Sequence, residues 1–71
     1  MTLPTPLAAR DRVRAAIASG DSDVILSEQQ QVDVWLAVAE SPQGNASPEL
    51  IRQLRELRED LARHLHSARP R

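Results

Sequence analysis

In the stretch Ser47–Leu65, SPELIRQLRELREDLARHL, the residues Leu50, Leu54, Leu57, Leu61 and Leu65 recur at intervals of three or four. That period puts all five on one face of a helix and leaves the charged residues on the other. Ser47 supplies an N-cap hydroxyl, and Pro48 fills the first helical position, where a missing N–H costs nothing. Glu49 meets the positive end of the helix dipole, and Arg63, His64 and His66 lie at the negative end. Ile51 is the only β-branched residue between Glu49 and Leu65, and neither Gly nor Pro interrupts the run. Propensity and pattern therefore agree on helix over about 48–66. At about 1.5 Å per residue this helix would be roughly 28 Å long. Arg52–Glu56, Arg55–Glu59 and Glu59–Arg63 are spaced for i,i+4 ion pairs along its solvated flanks.

A stripe this long needs partners, and the chain offers few. It has 71 residues, no Cys, no Phe or Tyr and one Trp, Trp35. A core of this size is marginal without a staple, and disulfides and thiolate metal sites are ruled out. Self-association is the remaining common staple. The leucine seam at 50, 54, 57, 61 and 65 reads as coiled-coil-like and as an interface within a homodimer or with a partner protein, with the core of a monomeric bundle as the alternative. His64, read as part of that seam, would make the dimer pH-sensitive.

Three further stretches complete the chain. Thr5-Pro6 repeats the cap-then-proline signal, so a first helix spans about 5–19, with Ala9, Val13, Ala16 and Ile17 on one face and Gly20 at its C-terminal stop. Arg10 and Arg14 are like charges at i,i+4, an arrangement that makes sense if acids elsewhere face them. Asp21-Ser22-Asp23 reads as a turn. Val24-Ile25-Leu26 is either an extended connector or the first turn of a helix beginning at Ser22. Ser27 with Gln30 matches a capping box, which sets a second helix at about 27–40. Its inner face is Val32, Trp35, Leu36 and Ala39, while Val34 and Val38 point elsewhere. A loop of Pro, Gly and Asn, 41–47, leads to the third helix. Met1–Pro4 reads as a frayed end and 67–71 as a flexible tail. The expected fold is all-α: a single small three-helix domain with a long C-terminal amphipathic helix, self-associating.

Charge is near balance, −1 overall, but uneven along the chain. Residues 1–20 carry +2, residues 21–49 carry −6 and residues 50–71 carry +3. The acidic middle either neutralises the two ends within the fold or complements a basic partner. All nine basic residues are Arg. Arg52, Arg55 and Arg58 descend one flank of the third helix and form a candidate phosphate-contacting stripe, though acids interleave with it. No apolar run is long enough for a membrane span, and the N-terminus lacks the apolar segment of a signal peptide, so the expected location is cytoplasmic.

Chemistry is sparse. His64 and His66 point about 200° apart on a helix and cannot chelate one metal together. Asp21 and Asp23 lack the other ligands of a calcium loop. No phosphate-binding glycine loop and no nucleophile elbow is present. The sequence predicts no enzyme, no cofactor and no metal. It favours a protein–protein interaction module acting as a regulator, inhibitor or adaptor. The candidate contact residues are Val34, Trp35 and Val38, flanked by Asp33 and Glu40. The alternatives are a DNA-binding or antitoxin-like regulator using the Arg flank, and a structural docking piece of a larger assembly.

Overall fold

The computed structural model describes residues 3–67. They form three helices, α1 Pro6–Ser19, α2 Ser22–Glu40 and α3 Pro48–Ser67, with no strand among the described residues. The bundle is elongated along its helices, 39 × 18 × 18 Å. The 67–71 stretch read as a tail lies outside the described residues apart from Ser67, which ends α3. Met1 and Thr2 also lie outside them, whereas Leu3 packs against the core.

Each helix starts on a side-chain cap. Thr5 Oγ1 accepts from Ala8 N at 3.1 Å, Asp21 Oδ1 from Asp23 N at 3.0 Å, and Ser47 Oγ from Leu50 N at 3.2 Å. Each bond satisfies a donor that the first helical turn leaves unpaired. α1 ends at Gly20, whose φ of +66° lets its N–H reach Ile17 O at 3.1 Å. Glycine reaches this left-handed conformation without a steric penalty. α2 ends where Ser41 donates both its N–H and its hydroxyl to Val38 O, at 3.2 and 2.7 Å.

α2 begins at Ser22, well ahead of the Ser27 start that the capping box suggests. The Asp21 cap captures it, and Ile25 N–H already bonds Asp21 O at 3.0 Å. The gain is burial. A helix through 24–26 places Ile25 one heptad before Val32, so its side chain, 1% exposed, extends the inner stripe of Val32, Trp35, Leu36 and Ala39. Val24 and Leu26 are left outside. α2 and α3 thereby have nearly equal length, 19 and 20 residues. The third helix therefore matches α2 in length, while α1, with 14 residues, is shorter than both.

The core is aliphatic and drawn from all three helices. α1 gives the small residues Ala9, Val13 and Ala16, which allow close approach. α3 gives Leu50, Leu54, Leu57 and Leu61, with Leu54 and Leu61 fully buried. α2 packs most extensively on α3. Between them the 41–47 loop passes tightly over the end of α2. A Cβ at Gly44 would sit 2.0 Å from Val38 O, a separation no side chain tolerates, and Asn45 next to it adopts φ +49°.

Leu54→Ala and Leu61→Ala should each lower unfolding free energy by about 2–5 kcal/mol, read from urea midpoints, while Glu59→Ala on the solvated face should stay within about 0.5 kcal/mol. Gly44→Ala should cost more than Gly20→Ala. At Gly20 the left-handed backbone is the only penalty, since nothing lies within 4 Å of an added Cβ. At Gly44 backbone atoms of α2 must move.

Candidate protein interface

The structure separates the sequence-predicted residues into three groups. The first is the leucine seam. Leu50, Leu54, Leu57 and Leu61 are buried against α1 and α2 of the same chain, and Leu65 is half-buried beside them. The seam belongs to the chain's own core, and a second copy could reach it only by opening the bundle. His64 lies off the seam: it is exposed, and its Nδ1 lies 2.8 Å from Asp60 O, so a seam-based pH response has no group to carry it. His66 is exposed as well.

The second group is charged. The acidic middle of the chain pairs with both basic ends. Arg12 of α1 lies 3.1 Å from Glu28 of α2, and Arg55 and Arg58 of α3 reach Glu40 and Asp33 of α2, at 3.2 and 3.9 Å. Arg55 donates through both Nε and Nη2 to one Glu40 oxygen. Two members of the proposed phosphate stripe are thus engaged within the fold, and only Arg52 has no ion pair among the described residues. None of the three i,i+4 pairs read from the sequence closes to 4 Å among those residues. Arg55 turns instead to Glu40, and Arg63 pairs with Asp60 one turn back. The reason is geometric: Arg55 lies on the side of α3 that faces α2.

The Arg12 site is the most organised polar cluster. The Glu28 side chain is only 12% exposed. Its Oε1 lies close to Arg12 Nε but off the N–H direction, so it is held by charge without an aligned hydrogen bond, while Oε2 accepts from Nη2 at 3.5 Å. The same guanidinium lies 5.1 Å from the centroid of the Trp35 ring, a distance at which cation and ring attract. Trp35 itself is 5% exposed. It is a core residue under an arginine lid, and it drops out of the contact surface for which it was a candidate. Nothing in the sequence pairs Arg12 with Glu28, sixteen positions apart, except the two helices folding back on each other.

The third group is the outer side of α2. Leu26, Gln30, Val34 and Ala37 line up at i,i+4,i+8,i+11 and are all exposed, Leu26 and Val34 at 42% and 44%. Val24 is exposed at the same end. Val38, half-buried, turns instead to a shallow cleft of about 430 Å³ at the end of the bundle, where Leu3, Pro6 and Leu50 meet the loop residues Asn45 and Ser47. The exposed charged side chains of α2 are Asp23, Asp33 and Glu40, all acidic. Among the described residues no cluster of His, Asp and Glu is placed to hold a metal ion, and no helix is long and apolar enough to cross a membrane.

Comparison with known proteins gives no relative: no family model, no curated protein and no solved structure matches the chain.

Arg12→Ala should destabilise the bundle by about 1–2 kcal/mol, because it strands a nearly buried carboxylate, whereas Arg14→Ala should change little. The Arg12→Ala/Glu28→Ala double variant should cost less than the two single changes added together, measured as a double-mutant cycle in urea.

Proposed function

We propose that this chain is a non-enzymatic protein-interaction module that docks on another protein through the outer side of α2. One observation carries the reading: α2 exposes Leu26 and Val34 in a strip whose exposed charges are exclusively acidic. Single exposed apolar residues are ordinary on any surface. A row of them on one helix is a better candidate for contact. Asp33 and Glu40 border the strip beside Arg58 and Arg55 of α3, and Asp23 at its other end has no ion pair among the described residues, so basic groups on a partner would meet Asp23 first and share the other two carboxylates. Regulator, inhibitor and adaptor all use such a surface.

The nucleic-acid reading is less favoured. Arg55 and Arg58 would have to exchange the carboxylates of Glu40 and Asp33 for phosphates, and those acids would then face the phosphate backbone.

Affinity capture from lysate of the native cell, with nuclease present, should recover a stoichiometric protein with the wild-type chain. It should lose that protein with Val34→Arg, while Glu59→Arg on the far face of α3 keeps it. Equal recovery by both variants would refute the α2 surface as the contact.

A further inference from the structure

The three helices are not equally anchored. The buried side chains of α1 are Ala9, Val13 and Ala16, and Ala16 stands outside the contiguous core, to which α1 adds Ala9, Val13 and the half-buried Ile17. The larger core side chains, Val13 apart, come from α2 and α3: Ile25, Trp35 and Leu36 on one, the leucines on the other. With 14 residues, α1 is also close to the length at which an isolated helix is marginal in water. Its first turn holds no acid and its last turn no base, so neither end of its dipole is compensated, whereas α3 has Glu49 at one end and His64 and His66 at the other. Its one cross-helix ion pair among the described residues is Arg12 with Glu28, and Glu28 Oε1 takes no hydrogen bond there. α2 and α3, by contrast, share the most extensive packing and are joined by Arg55–Glu40 and Arg58–Asp33. The link between α1 and α2 is two residues, Gly20 and Asp21, and nothing lies within 4 Å of a Cβ added at Gly20, so the joint has room to turn.

We propose that α1 is a hinged lid on the α2–α3 pair: it releases as a unit, turning at Gly20, while α2 and α3 stay together. Opening of part of a fold begins at the element with the fewest buried apolar contacts, and here that element is α1. Release takes Arg12 off the Trp35 ring and bares the part of α2 and α3 that Ala9 and Val13 cover. The inference does not draw on the docking surface, which lies on the outer side of α2. It has a thermodynamic signature. Contacts made by α1 are lost in the open form, so weakening them favours opening. Contacts between α2 and α3 are kept in the open form, so weakening them favours complete unfolding alone.

Hydrogen exchange of the whole chain under native conditions reads both processes at single amides. The amides of Val13 and Ala16 should exchange at least about tenfold faster than those of Leu54 and Leu57, after correction for their intrinsic rates. Ile51 shares its side of α3 with Arg55 and Arg58, at i,i+4,i+7, both of which reach α2. Ile51→Ala should therefore speed exchange at Leu54 and Leu57 severalfold and leave Val13 and Ala16 unchanged. Arg12→Ala should speed all four. If Ile51→Ala does not fold, Ile51→Val takes its place with a smaller effect of the same pattern. Equal protection at the four amides in the wild type would overturn the lid, since α1 would then open only with the whole bundle. So would an Ile51 variant that speeds Val13 and Ala16 as much as Leu54 and Leu57.

Discussion

A chain with one tryptophan, no other aromatic residue and no cysteine must close its core with aliphatic side chains, and it must draw them from every helix. The leucines of α3 are the largest block of that material. Their burial requires α1 and α2 to lie along one side of α3. The small residues of α1 let it approach closely, and the early start of α2 adds Ile25 to the same layer. Helix lengths, connection positions and the orientation of each charged flank follow from this requirement.

The ion pairs come second in this order. Once α2 is seated, its acids lie beside bases from both neighbours, and three cross-helix contacts form. Most are exposed, and exposed pairs contribute little stability individually. Their larger effect is on specificity. Each of the three joins α2 to a neighbouring helix, so charge adds to the choice of packing that apolar burial begins.

Much of the all-helical architecture was legible because local signals agreed. Cap-then-proline pairs, Gly20 and the period of the leucines all favour helix at the level of a few residues. The start of α2 was harder to read, because two caps compete and the sequence carries no local sign that Ile25 is needed in the core. The leucine seam was legible as a seam. Whether its partner is the same chain or another depends on tertiary packing, which spacing does not encode. The same holds for Arg55, which has an acid within reach on its own helix and a better one across the interface. Val34 could be read as lying off the inner face of its helix.

The tryptophan under its arginine has a practical consequence. Trp35 is the sole strong chromophore of the chain and sits at the junction between α1 and α2, beneath a positive charge supplied by the first helix. Its emission therefore responds to the contact between α1 and α2. If α1 peels away while α2 and α3 remain together, the indole loses its cover and its light shifts to the red before the backbone signal of the helices has fallen. The chain carries its own probe for telling a partial opening from complete unfolding.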